Sequence, residues 1–329
     1  MPKTKLIIGI DEAGYGPNMG PLVVSATAWR SPLELDVCEL GQMLSPEFQA
    51  KPLRKDSKHV PVGDSKLINH GRTGQASLHL GAQFLLGTIA KSRRPQSLDD
   101  VLARISPEDC ERLRQVPWYR DSCPPKDCSG VAWELEKSSF HDAEKKMALL
   151  GLEMVDVRAR VIDEPEFNQL VDRIGNKSSL LSELSLNLAR TIIDRNAAVD
   201  EPIFVYCDKH GGRNRYQPFL MASFDQEWFS VVAEGQRRSE YQANWAGSPM
   251  TIQFQVDGDS IFPSAASSIL CKWIREEHML KLNAFWQSKS DDFIAPTAGY
   301  YVDAIRFSKE IESVSQKLNL SRDSWWRKK

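Results

Sequence analysis

The sequence predicts an α/β protein with an open sheet whose strands end in carboxylates. Three apolar runs support this. Leu6-Ile7-Ile8-Gly9-Ile10 stops at Asp11 and Glu12, residues 203–207 stop at Asp208, and the alternating stretch 251–256 stops at Asp257-Gly258-Asp259. Short β-branched runs bounded by Gly and Pro read as buried strands. Between them lie stretches of helical period at 75–91, 178–193 and 260–280. Ligands gather at strand ends in open α/β sheets, so three acid-ended strands suggest one shared site.

Composition narrows the class. A chain of 329 residues can bury a large core, and its net charge of −2 argues against a polybasic, non-specific nucleic-acid binder without excluding a local basic groove. No apolar run of eighteen residues is present and the N-terminus lacks a signal-peptide pattern, so a cytoplasmic enzyme is expected, with no membrane association and no obligate protein partner. The six cysteines are scattered. Cys123 and Cys128 are separated by four residues, with only Cys110 and His141 nearby, and a zinc set of finger-like spacing is missing. The chain reads as a single domain over 1–329, with 92–150 as an insertion or subdomain and 281–329 as a C-terminal helical extension.

In order, residues 4–30 read as a hairpin with its second strand at 22–29. The loop between holds Gly14, Gly16 and Gly20, which let backbone approach a ligand and adopt positive φ. Successive strand side chains point to opposite faces, so of Asp11 and Glu12 the first is expected to face the site more directly. A helix is expected at 33–44. Two Asp-Ser-Lys triplets follow, at Asp56 and Asp64, either helix caps with solvated lysines or lysines aimed at phosphate or the acids. Residues 92–150 differ in character and read as an insertion, with a substrate-covering lid as one option.

Residues 152–162 alternate, with Val155, Val157, Ala159 and Val161 on one face of a strand, and 178–193 place Leu181, Leu184, Leu188 and Ile192 in the core. The 260–280 helix packs Ala265, Ala266, Ile269 and Ile274. Asp257 and Asp259 share a face if the strand continues, so spacing does not separate them. The basic and aromatic tail, Arg322 to Lys329, suits either a nucleic-acid backbone or a Trp packed on the body with a frayed basic end. Clustered carboxylates repel unless a cation neutralises them, and oxygen-only ligation suits Mg²⁺ or Mn²⁺.

These residues resemble the type 2 ribonuclease H family. Its opening strand ends in Asp-Glu-Ala/Val-Gly-Arg-Gly-Pro before Gly-Pro-Leu/Val-Val, similar to Asp11–Gly16 with Pro17 and 20–24 here. Its Asp-Ser-Lys-x-Leu stretch is similar to 64–67, its third acid matches Asp208, and its fourth, ahead of an Ala-Ala-Ser-Ile-x-Ala-Lys helix, matches Asp259. Gly299-Tyr300 and Arg322-Asp323-Ser324-Trp325 resemble later segments of archaeal and eukaryotic members.

The resemblance implies a ribonuclease H-like fold: a mixed five-stranded sheet with helices on both sides, the first three strands antiparallel, and a helical C-terminal part. It implies an endonuclease acting on RNA/DNA hybrids or ribonucleotide-containing duplex DNA, with Asp11, Glu12, Asp208 and Asp259 as catalytic residues holding two Mg²⁺ or Mn²⁺ ions. Gly14, Tyr15 and Gly16 would meet the ribose, Lys66 a phosphate or the acids, and Tyr300 the sugar beside the scissile bond. Tyr15 departs from the family, which has Arg or Lys there, and Arg213 or Lys209 is expected to supply the missing charge. Two other readings stand beside this: a same-fold nuclease on another nucleic-acid structure, and a non-catalytic nucleic-acid-binding protein.

Overall fold

Strand β1, Thr4–Ala13, is buried on both faces, which puts it at the centre of the sheet: Ile7 enters one core, while Leu6, Ile8 and Ile10 enter the other. The computed structural model describes residues 3–55, 57–89, 97–120 and 132–328. The other strands of the sheet are β2 (Leu22–Pro32), β3 (Glu153–Ile162), β4 (Ile203–Asp208), β5 (Ser230–Glu234), β6 (Arg238–Trp245) and β7 (Ser248–Gln255).

Their order is β3-β2-β1-β4-β7-β6-β5. β1–β2 and β2–β3 pair antiparallel, β1–β4 and β4–β7 pair parallel, and β6 and β5 add antiparallel strands beyond β7. The mixed sheet with helices on both faces and an antiparallel start is as expected. The sheet has seven strands rather than five. The extra pair escaped the sequence reading because edge strand β5 lacks the pattern of a buried strand, with Val231 and Val232 both exposed.

On one face pack α3 (Gly74–Ile89) and α10 (Phe262–Ser288). The short α1 (Leu40–Met43) and α2 (Ser65–Ile68) lie with them, as do α4 (Leu98–Ile105), α5 (Pro107–Gln115), α6 (Ala132–Leu149), α11 (Tyr301–Glu310) and α12 (Glu312–Lys317). On the other face pack α7 (Glu164–Ile174), α8 (Lys177–Asn196) and α9 (Gln217–Ser223). The leucines Leu181, Leu184 and Leu188 and Ile192 of α8 are in that second core. Gly9 lets α10 lie directly on β1: a Cβ there would stand 2.1 Å from the backbone of Pro263 and Ser264.

Two local expectations change. The helix at 33–44 shrinks to a 3₁₀ turn at Val37–Glu39 and α1, because buried Lys5 takes the Leu33 and Leu35 carbonyls that a helix would bond internally. A bulge opposite Ala28 and Trp29 turns Val155 into the second core, while Val157, Ala159 and Val161 stay in the first. α5 is fastened to β3 by buried Asp109, which accepts from the Val161 amide at 2.8 Å and from Arg160. Cys123, Cys128, Asp56 and Arg93-Arg94-Pro95 lie outside the described residues. Among the described residues no helix is long and apolar enough to cross a membrane.

Candidate active site

Parallel pairing brings the acids together. Ile10 lies opposite Cys207, so the next residues along β1 and β4 are Asp11 and Asp208. Asp208 lies opposite Gln255, so β7 also finishes at this edge of the sheet. The chain leaves β7 through Asp257, in the left-handed region at φ 60°, and a 3₁₀ turn over Gly258–Ser260. Asp257 and Asp259 are therefore in a turn and not on the strand, and strand alternation does not govern them. Asp257 is exposed, whereas Asp259 is half-buried. Asp208 Oδ1 accepts from the Lys209 amide at 2.8 Å and the Gly258 amide at 3.5 Å.

Asp11 receives a hydrogen bond from Ser268 of α10, whose hydroxyl lies 2.9 Å from that of Ser65, the middle residue of the Asp64 triplet. Burial pushes the Asp11 carboxyl up to about 7; Ser268 and the Glu12 backbone oppose this, and Asp208 and Asp259 add to it. Glu12 is pushed well above the usual range by burial, then by Asp11 and Asp208. Asp208 is raised by burial against the pull of the Lys209 and Gly258 amides. Asp259 is raised by burial, then by Asp64 and Asp208. The exposed Lys66 opposes the rise at Glu12, Asp208 and Asp259. Adjacent residues on a strand should diverge, yet Asp11 and Glu12 both feel Asp208.

Among the described residues no three His, Cys, Asp or Glu side chains are drawn close enough to hold an ion as they stand. The donor chemistry nonetheless suits a hard cation: four carboxyls, half-buried and mutually repelling, with one lysine in partial compensation.

Around the acids, Gly14 has φ 87°, and a Cβ there would meet Pro21 O at 2.4 Å and Arg275 Nε at 2.7 Å. Gly16 is exposed with open space beside it. Tyr15 turns towards α8: its hydroxyl bonds Ser178 and lies against Gly211, and Lys177 Nζ stands 4.9 Å from its ring centroid. Arg213 is on the same side, stacked 4.2 Å from the Phe219 centroid and donating to Ser179 Oγ at 3.0 Å. Lys209 turns its ammonium inward, onto Gly235 O at 2.6 Å, Ser239 Oγ at 2.8 Å and Arg213 O at 3.1 Å. Tyr300 is exposed and follows Gly299, whose carbonyl takes the Asn18 and Met19 amides.

Sequence reasoning missed Ser268 and Ser65, Asp64 as a neighbour of Asp259, and the buried groups Glu164, Arg275 and Arg327 under the glycine loop. Asp64 and Ser65 lay inside a triplet already singled out. Arg327 lay in the basic and aromatic tail already singled out, but nothing local pointed it at the glycine loop. The described part of the tail, to Lys328, packs on the body: Trp325 is buried, with its indole N–H on Ser315 Oγ, and Arg327 is 1% exposed.

No protein-family profile matches the sequence, and no curated protein does. Solved structures do match. The ribonuclease H2 from Pyrococcus horikoshii OT3 is similar at 14% identity and a TM-score of 0.40, over 97% of this chain and 92% of that chain. The ribonuclease HII of Archaeoglobus fulgidus, solved in complex with PCNA, is similar at 14% identity and a TM-score of 0.38, over 97% and 93%. The Bst ribonuclease HIII in complex with Mn²⁺ is similar at 14% identity and a TM-score of 0.42, over 98% and 66%. Identity and TM-score are both low, so the chemistry of this chain has to come from its own residues.

Proposed function

We propose that this protein is a metal-dependent endonuclease that cleaves the RNA strand of RNA/DNA hybrids, or at ribonucleotides embedded in DNA, leaving 5′-phosphate and 3′-hydroxyl ends. The observation that carries this reading is the convergence of Asp11, Glu12 and Asp208 at the ends of β1 and β4, with Asp259 in the turn just after β7, beside a glycine loop and the exposed Lys66. The motif order along the chain supports the same reading.

Asp11, Glu12, Asp208 and Asp259 would hold Mg²⁺ or Mn²⁺, since hard cations prefer carboxylate oxygens. Bound there, two such ions would activate the attacking water and stabilise the leaving 3′ oxygen. Ser268 orients the Asp11 carboxylate, and the Lys209 and Gly258 amides orient that of Asp208. Lys66, exposed beside three of the acids, would meet a substrate phosphate. Gly14 and Gly16 let the loop backbone approach the ribose, and Tyr300, exposed next to that loop, would stack on the sugar beside the scissile bond. Arg213 would add positive charge on the Tyr15 side; Lys209 is committed to protein acceptors.

One observation favours a second reading. Tyr15 lays a ring, under Lys177, where the family resemblance implies an Arg or Lys, which would suit another nucleic-acid structure. A cleavage panel separates the two: hybrid, single-ribonucleotide duplex, plain duplex and branched DNA, each with Mg²⁺ and with Mn²⁺. Cleavage confined to ribose-containing substrates is expected. Activity only on ribose-free substrates selects the second reading, and duplex binding without any cleavage indicates a non-catalytic binder.

A further inference from the structure

The loop from Gly14 to Gly20 is held from beneath by a residue more than 300 positions away. Arg327 Nη1 donates to Gly14 O at 2.6 Å and Gly20 O at 3.3 Å, and Nη2 donates to Tyr15 O at 3.2 Å. Its backbone locks in as well: the Arg327 amide donates to Asn18 O at 2.7 Å, and Asn18 Nδ2 donates to Arg327 O at 3.2 Å. The guanidinium carbon lies 4.0 Å from the Phe167 ring centroid. Arg275, also 1% exposed, stands beside Gly14 and donates to Ala298 O at 2.9 Å. Glu164, fully buried, takes the Gly20 amide at 2.9 Å. Two guanidiniums buried side by side repel and lose hydration, so stability alone is a poor reason for this arrangement.

Peptide planarity gives a better one. A trans peptide carries its C=O and N–H on opposite sides. Drawing the Gly14 carbonyl onto Arg327 turns the Tyr15 N–H away from it, and drawing the Tyr15 carbonyl does the same for the Gly16 N–H. Gly14 and Tyr15 are half-exposed and Gly16 is exposed. Among the described residues no protein acceptor takes either amide.

We propose that Arg327 is a positioning residue: by holding the Gly14 and Tyr15 carbonyls inward, it aims the Tyr15 and Gly16 amides outward as paired donors for an acceptor oxygen of the bound nucleotide. Resting on the nuclease reading above, that oxygen is the ribose hydroxyl, which deoxyribose lacks.

The experiment has a free-protein arm and a bound arm. In the free protein, Arg327→Lys keeps the charge but loses the planar fork; the Tyr15 and Gly16 amide NMR shifts are expected to move, with the amides of the far edge strand β5 unmoved. In the wild type without metal, a DNA duplex carrying one ribonucleotide is expected to shift these two amides, and the all-deoxy duplex is not. In turnover, Arg327→Lys should raise KM and lower the preference for ribose about tenfold each, the scale of one misdirected hydrogen bond, with kcat nearly unchanged and Mn²⁺ affinity preserved. Free guanidinium ion should partly restore Arg327→Ala.

Unmoved amides in folded Arg327→Lys, or wild-type amides blind to the ribonucleotide in a duplex that does bind, overturn the proposal. If the variants do not fold, the wild-type titration decides alone. If no duplex binds the wild type, the nuclease reading fails and takes the ribose assignment with it, while the free-protein arm still tests the positioning.

Discussion

Gly258 stands with its Cα against the backbone of Asp208: a Cβ there would lie 3.0 Å from both the Asp208 Cα and its amide nitrogen. The turn after β7 is thereby pressed onto the end of β4, which sets Asp259 beside Asp208. Gly258→Ala is expected to push the two acids apart. A shift of a few tenths of an ångström up to 1 Å costs roughly ten- to hundredfold in rate, whereas the strain costs about 1–2 kcal/mol of stability. Cleavage kinetics and denaturant melts on the same variant check this, and a loss of stability without a loss of rate would contradict it.

Asp208→Asn should abolish cleavage, by about a thousandfold or more, since carboxylate ligation of a catalytic ion is worth several kcal/mol in the transition state. Duplex affinity should stay within a few fold. Gel-based cleavage alongside fluorescence anisotropy separates the two effects, and full Mg²⁺-dependent activity would remove Asp208 from the site.

Lys66→Met removes a cation that opposes the rise at Glu12, Asp208 and Asp259. Without it, Mn²⁺ should bind about three- to tenfold more tightly at low salt, because less positive charge competes for the cluster. Substrate KM should move the opposite way as a phosphate contact is lost. Calorimetry and steady-state kinetics report the two signs, and parallel changes would refute this role.

Asp109 governs the acid stability of the α5–β3 junction. Burial alone would raise its carboxyl, but Arg160, the Val161 amide and Ser106 outweigh it and hold the carboxyl below its ordinary 3.8. A depressed folded-state pKa stabilises the protein above the unfolded value, and that contribution is lost as pH falls through 3.8 towards the lower folded value. The wild type should therefore lose the Asp109 contribution on acidification below about pH 5, and Asp109→Asn should remove that component of the slope. Removing one partner of a buried ion pair costs about 3–5 kcal/mol at neutral pH. Urea melts from pH 3 to 7 test both.

Local chemistry made much of this protein readable from its sequence. Leu6–Ile10 ending on Asp11 and Glu12 marked a buried strand with acids at its exit. The leucines of α8 marked a core face by their spacing. The glycines after Glu12 marked a loop free to take positive φ, and Gly14 does. These readings depend on neighbours within a few residues, where period and composition act directly.

Tertiary pairing decided the rest. Nothing local says that β1, β4 and β7 run parallel, yet that pairing carries Asp11 and Asp208 to one edge, and the Gly258 turn after β7 brings Asp259 to them. Lys5 removes a helix by taking carbonyls 28 and 30 residues away, and a bulge turns Val155 to the opposite face. Arg327 reaches Gly14 across 313 positions. A side chain's role is set by which unpaired groups it meets once the chain closes on itself, and sequence spacing does not encode that meeting.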